Sequence, residues 1–289
     1  MAPIPALRCG RIKYTNDLPL YAAFDLGVLE FPGVLIDAVP SELNRGLLAG
    51  ELDVSPVSSM FYAQHADELA LLGGICIGSR REAKSIQCIS AVHPRELAGT
   101  RIAVTTESAT GRALFDVICR SGFGFTPSLE SSDDPVAEHE RDGTPCLVIG
   151  DVAIDAAFAH PEQAHDVGTL WYGLTGADMV YALWAMRKDR VAEQPERMRA
   201  ALQAIVPALR ASAAFGRDHG DEVVRLAQSQ RPRPDGFYES YYRALNYDYD
   251  EQAQDGFLRF CTMAQACGVL DAGVTIGRAP ESPEFVDRV

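Results

Sequence analysis

The chain has 289 residues, 47% apolar and 23% charged, a make-up that fits a globular protein with enough core for two domains and excludes a disordered chain or a small disulfide scaffold. With 40 acidic against 26 basic groups the net charge is −14, which argues against nucleic acid as a partner. No stretch approaches the about 18 uninterrupted apolar residues of a membrane helix, and the first residues lack the basic-then-apolar order of a secretory signal, so a cytosolic protein without membrane attachment is expected.

In chain order, residues 8–14 read as a strand, 18–26 as a helix and 33–39 as a second strand. Ser41 opens a helix that closes on Gly50, residues 52–54 form a short strand, and Ser58 or Ser59 starts a helix that runs to Gln64 before the extended stretch 69–77. A second α/β unit follows, with strands at 101–104, 125–130 and 146–149, a helix at 108–120, and an exposed acidic helix and turn within 131–143. Two strand-like runs, 85–92 and 179–187, join one block to the next, and after Lys188 the pattern turns helical at 191–215, 221–229, 237–245 and 249–267. This order predicts an α/β protein of two domains, 1–88 plus 187–289 and 92–180, joined by two crossing strands that allow closure over a cleft.

Several chemistries lack a motif. There is no P-loop, no G-x-S-x-G and no H-E-x-x-H, and His160 and His165, five apart, do not share a helical face. The seven cysteines are scattered without a C-x-x-C and read as small buried hydrophobes. No metal or cofactor is expected. What stands out are three turns rich in hydroxyls and amides where strands feed helices: Tyr14-Thr-Asn-Asp-Leu-Pro19, Asp53-Val-Ser-Pro-Val-Ser-Ser59 and Thr105-Thr-Glu-Ser-Ala-Thr110. Helix starts offer free N–H groups and a positive dipole end to carboxylates, and ligands of open α/β sheets bind at the carboxyl ends of strands. Ordinary N-capping is the competing reading for any one of these turns. The chain has only three lysines, and Lys13, Lys84 and Lys188 flank the first turn and the two crossing strands, so a cationic cleft for a small anion is expected, with Lys188 equally readable as a solvated strand end.

The same residues carry a resemblance. Asn16-Asp-Leu-Pro-Leu20, Val39-Pro-Ser-Glu-Leu-Asn-Arg45, Gly50-Glu-Leu-Asp-Val-Ser-Pro-Val-Ser-Ser59, Lys84-Ser85, Thr106-Glu-Ser-Ala-Thr110, Ile149-Gly-Asp151 and Trp171-Tyr-Gly-Leu-Thr-Gly176 are similar to the futalosine-route menaquinone biosynthesis family over nearly the whole chain. That resemblance implies the periplasmic-binding-protein type II fold. It also implies a hydro-lyase that dehydrates chorismate, a dianion, to 3-[(1-carboxyvinyl)oxy]benzoate; the family's other branch makes 1,4-dihydroxy-6-naphthoate, and the fold is shared with non-catalytic solute receptors.

On the family's motif positions, Asn16 and Ser85 would hold one carboxylate or the ether region, with Lys13 and Lys84 beside them. Ser108, Ala109 and Thr110 would hold a carboxylate from the second domain, and Ser58 and Ser59 would line the opposite wall. Asp151 and Glu107 are candidates for the base, as is a carboxylate of the substrate itself, and a favourable charge at the helix start is the competing reading for Glu107. Trp171, Tyr172, Tyr181 and Trp184 read as core or hinge packing, while Tyr241, Tyr242, Tyr247 and Tyr249 cover the helical C-terminal layer at a density that permits a homodimer.

Overall fold

In the computed structural model, which describes residues 7–278, the chain begins with β1 (Arg8–Ile12), whose buried Cys9, Gly10 and Ile12 lie between two neighbours. On one side β1 pairs in parallel with β2 (Val34–Ala38), in register from Arg8 opposite Val34 to Ile12 opposite Ala38. On the other, the Gly10 amide donates to the Val54 carbonyl at 2.9 Å. Gly10 is required there, because a Cβ would lie 2.2 Å from Ser55 Oγ. Between the strands runs α1 (Leu18–Asp25), with Pro19 in the first turn, where a missing N–H costs nothing. Proline likewise starts α2 (Pro40–Leu48), one residue ahead of the predicted Ser41.

Next come β3 (Ser55–Ser58), α3 (Ser59–Gln64), β4 (Leu69–Ser79), β5 (Ile86–Ile89), β6 (Arg101–Thr105) and α4 (Ala109–Val117). The strand expected at 52–54 is displaced to β3, since Val54 serves only as a bridge to Cys9. The predicted helix 108–120 changes character after Val117, becoming a π-helical turn over Ile118–Phe123 that ends at Gly124 with φ +79°. That extra length pushes the following strand, β7 (Ser128–Ser132), past its predicted start at 125.

The chain continues with α5 (Pro135–Asp142), β8 (Cys146–Ile149), α6 (Gly150–Ala159), β9 (Ala164–Asp166), α7 (Val167–Thr175) and β10 (Met179–Arg187). The sequence reading left α6 and α7 unassigned. The helical layer comprises α8 (Lys188–Glu193), α9 (Pro195–Asp218), α10 (Gly220–Gln230), α11 (Phe237–Ala244) and α12 (Glu251–Ala266), with the two-residue β11 (Leu245–Asn246) between the last two helices. Pro195 splits the helix predicted from 191 into α8 and α9, because a residue preceding proline is pushed out of the helical region.

Two larger sheets result. One has the order β11-β4-β10-β3, with β10 antiparallel to both β3 and β4; the other has the order β7-β6-β8-β5-β9, with β6 parallel to β7 and β8. The chain passes between them twice, at 80–85 after β4 and at 176–178 before β10. The carboxyl ends of β1, β3 and β6 and the start of β10 border the space between the sheets. Six of the seven cysteines are buried, as small hydrophobes should be, and burial pushes the thiols of Cys9, Cys119, Cys146 and Cys261 up to about 12, which leaves them protonated and unreactive.

Candidate functional site

Where β1 ends, Thr15–Asp17 forms a single 3₁₀ turn leading into α1. Its backbone is held by side chains from three directions. The Thr15 amide donates to Asp151 Oδ2 at 3.1 Å and the Thr15 hydroxyl to Asp151 Oδ1 at 2.6 Å. Tyr242 donates to the Thr15 carbonyl at 3.1 Å and Tyr247 to the Asn16 carbonyl at 2.7 Å. Asp17, almost wholly buried, faces Arg11 at 3.4 Å. With the backbone fixed in this way, Asn16 lines the cleft between the two sheets, and its buried Oδ1 has no hydrogen-bond partner.

The opposite wall is the start of α4. Ser108 precedes the helix in extended conformation, yet its hydroxyl does not cap the first turn; Ser108 Oγ is buried and without a partner, as Asn16 Oδ1 is. Buried polar atoms are nearly always paired, so two orphans lining one cleft mark a place where a ligand supplies the missing bonds. The first-turn N–H groups of α4 lack helical partners and add the positive end of a helix dipole. Gly111 completes this wall, because a Cβ there would lie 2.4 Å from Ser108 Oγ.

Ser85 and Ser58 also line the cleft. The backbone leading to Ser85 is set by Asp166, whose carboxylate accepts from the amides of Ala83 at 3.0 Å and Lys84 at 2.6 Å; Lys84 is held at φ +57°, uncommon for a residue with a side chain. Ser58 is held through its amide by Asn44 Oδ1 at 3.2 Å. Across the cleft mouth the Tyr14 hydroxyl donates to Glu107 Oε2, tying the turn after β1 to the turn after β6. Burial, reinforced by the Glu107 carboxylate, raises the Tyr14 phenol well above its ordinary value and keeps it protonated.

Of the residues singled out from sequence, Asn16, Ser58, Ser85, Glu107, Ser108, Ala109 and Thr110 line this cleft, and five do not. Ser59 is fully buried behind the wall, donating to the Val180 carbonyl at 2.7 Å. Lys13 is exposed and borders a separate depression, and Lys84 turns its ammonium to Glu82 at 3.2 Å. Lys188 is likewise engaged elsewhere, donating to the Ala66 carbonyl at 3.0 Å. The expectation of a cationic cleft is therefore corrected: among the described residues no lysine or arginine lines it. Asp151 is the fifth: its two oxygens accept from Thr15 and it does not line the cleft, so it does not stand where a base would be needed. Thr110 lines the wall, but its hydroxyl already accepts from the Met60 amide at 3.1 Å and faces the Tyr181 carbonyl at 3.3 Å.

Comparison with known proteins bears on the same residues. A sequence model of the family described as menaquinone biosynthesis matches residues 7–266. The chain belongs to that family. The chorismate dehydratase of Thermus thermophilus is 34% identical over 197 residues, which span 62% of this chain and 69% of that protein. Among solved structures, a protein from Archaeoglobus fulgidus superposes with a TM-score of 0.69 at 20% identity, covering 91% of this chain and 98% of its own. The alkanesulfonate-binding protein SsuA from Xanthomonas axonopodis pv. citri, solved bound to MOPS, gives 0.67 at 19% identity, with 94% and 97% covered. A Candida albicans protein described as having the generic periplasmic binding protein structural fold gives 0.65 at 11% identity, with 99% and 94% covered. These three likenesses establish the fold expected from the resemblance.

In this menaquinone biosynthesis protein the sequence reading passed over two cleft residues. Tyr14 stood in a quoted turn but its partner lies 93 positions away, a pairing no local pattern reveals. Tyr181, read as hinge packing, lines the cleft while its hydroxyl meets Ser79 Oγ at 2.8 Å. The C-terminal tyrosines turn inward: Tyr241, Tyr247 and Tyr249 are buried, and Tyr242 and Tyr247 brace the Asn16 turn, so the family's helical layer acts as a support for the site. Among the described residues no helix is long and apolar enough to cross a membrane, and no group of three or more His, Cys, Asp or Glu could hold a metal ion.

Proposed function

We propose that this protein is a hydro-lyase that removes water across C3–C4 of chorismate to give 3-[(1-carboxyvinyl)oxy]benzoate, working in the cytosol on a dianionic substrate. The observation that carries the reading is the pair of unpartnered buried oxygens, Asn16 Oδ1 and Ser108 Oγ, facing one cleft in a chain 34% identical to a chorismate dehydratase. Ser108 and the first-turn amides of α4 hold one carboxylate. Asn16 and Ser85 hold the ring side, where the Asn16 amide can donate to a carboxylate or ether and accept from the C4 hydroxyl. The two crossings between the sheets, at 80–85 and 176–178, let the two halves close over the substrate.

The chemistry asks little beyond placement. The C3–H electrons become the new C3=C4 bond, the C4–O pair leaves with oxygen as hydroxide, and the ring becomes aromatic. Negative charge building at C3 spreads through the ring diene toward the ring carboxylate, so donors fixed on that carboxylate lower the barrier. Among the described lining residues Glu107 is the sole carboxylate, and it already accepts from Tyr14. The proton at C3 therefore goes to the substrate's own enolpyruvyl carboxylate, and the protein supplies orientation. On this account Glu107→Gln, which keeps a hydrogen-bond acceptor for Tyr14, retains kcat within about tenfold, whereas a required general base would cost several powers of ten. A steady-state assay of E107Q decides between them.

The test of the function is direct. Purified protein is incubated with chorismate, and the mixture is followed by chromatography and mass spectrometry. Loss of one water with appearance of an aromatic enolpyruvyl ether is expected. Recovery of unchanged chorismate would overturn the proposal; turnover of the cyclic futalosine intermediate would then point to the naphthoate-forming branch, and simple retention of an anion to a receptor.

A further inference from the structure

We infer that Asp151 is a positioning residue that reaches from α6 to the Asn16 turn and makes the assembly of that turn depend on closure of the cleft. The activity arm of this inference rests on the hydro-lyase reading; the geometry does not. Asp151 lies in the first turn of α6, directly after β8 of the five-stranded sheet, whereas Thr15 follows β1, 136 positions earlier and paired with β2. Both carboxylate oxygens bind the same residue, Oδ1 taking the Thr15 hydroxyl at 2.6 Å and Oδ2 its amide at 3.1 Å. Asp151 thus does for the 3₁₀ turn what an N-cap side chain does for a helix, but from a helix that follows a strand of the other sheet. Thr15 and Asp151 are both buried, so no water replaces these bonds while the halves are together.

The carboxylate is itself held. Arg233, whose side chain is only 6% exposed, stands 3.7 Å from Asp151 Oδ1 and donates to the Asp151 carbonyl at 3.3 Å, while pairing with Asp155 one turn further along α6. Arg231 stands 3.9 Å from Asp151 Oδ2 and donates to Asp155 at 2.5 Å. Both arginines come from the segment between α10 and α11, so the helical layer grips α6 from one side as its tyrosines grip the Asn16 turn from the other. Every polar group of Thr15 is then committed, and Asn16 Oδ1 is left as the open acceptor facing the cleft. If the halves part, the Thr15 amide and hydroxyl lose their acceptor and the turn keeps the two tyrosines and the Arg11–Asp17 pair. Closure and the placement of Asn16 become one event.

The test uses the full chain with Thr15→Val, which keeps the shape and removes the hydroxyl, and Asp151→Asn, which keeps the shape and removes one acceptor, singly and together. Each single change is expected to lower kcat on chorismate about 10- to 100-fold while moving KM less than about threefold, since displacing a positioned group by a fraction of an ångström acts on the reacting geometry more than on binding. The double variant should be no worse than the poorer single, and Thr15→Ser should recover most of the rate. In parallel, amide hydrogen exchange across residues 14–17 should speed up in both single variants. Unchanged kcat, multiplied losses in the double variant, or unchanged exchange would each overturn the inference. If the unaltered protein leaves chorismate intact, the hydro-lyase reading fails, and the exchange measurement alone decides whether Asp151 positions the turn.

Discussion

Asn16→Ala is expected to lower kcat/KM on chorismate about 10²- to 10³-fold, the range lost when one preorganised donor of an anion-stabilising pocket is removed. The basis is the rigidity of its mounting: the turn is fixed by Asp151, Tyr242 and Tyr247, so the amide pays no ordering cost when substrate arrives. Ser108→Ala tests the other wall, with an expected loss about tenfold smaller because the first-turn amides of α4 remain. The two losses should multiply if the residues hold different ends of the substrate, and both variants should match the unaltered protein in thermal stability, since neither side-chain atom has a partner inside the protein. Equal activity in Asn16→Ala would remove Asn16 from the site.

Gly150→Ala is expected to be damaging for a different reason. Gly150 opens α6 at φ +67°, a conformation costing a residue with a Cβ about 1–2 kcal/mol. The added Cβ would also stand 3.0 to 3.1 Å from the Tyr14 ring, tighter than ordinary contact, adding about 1 kcal/mol of overpacking. Denaturant titration should therefore show a loss of about 2–3 kcal/mol. Combining it with Tyr14→Ala should recover the contact part and leave the backbone part. Full recovery would mean that backbone strain at Gly150 is absent, and no recovery that the ring is not what meets the new methyl group.

How far the sequence carried can be read from particular elements. β10 occupies Met179–Arg187, the predicted run, because a long apolar stretch with Trp184 at its centre can only sit inside a sheet. The helices α6 and α7 were not legible: α6 is rich in alanine and carries the apolar Val152 and Phe158 on its exposed side, so it shows no amphipathic period, and α7 starts from Asp166, whose carboxylate caps the Thr169 amide without a motif to announce it. At the site, Asn16, Ser85 and Ser108 could be marked because strand ends with hydroxyls and amides carry a local signature. The roles of Asp151 and Tyr14 could not, since each is defined by a partner 136 or 93 residues away. The lysines misled for a related reason: proximity in sequence to a strand end says nothing of which side the chain leaves from.

A cleft bordered by hydroxyls, amides and a helix start, with neither lysine nor arginine among its described lining residues, has a bearing on selectivity inside a crowded cell. Sugar phosphates and nucleotides are drawn to sites by long-range charge, and a protein of net charge −14 without a cationic floor offers them no such pull. Recognition then depends on short-range hydrogen bonds that dissolved ions scarcely weaken, so KM should stay nearly flat as ionic strength rises from about 0.05 to 0.5 M, over which the screening length falls well below 10 Å. On the proposed function, a metabolite dianion would be chosen by the spacing of its oxygens, and competing polyanions would be left in solution.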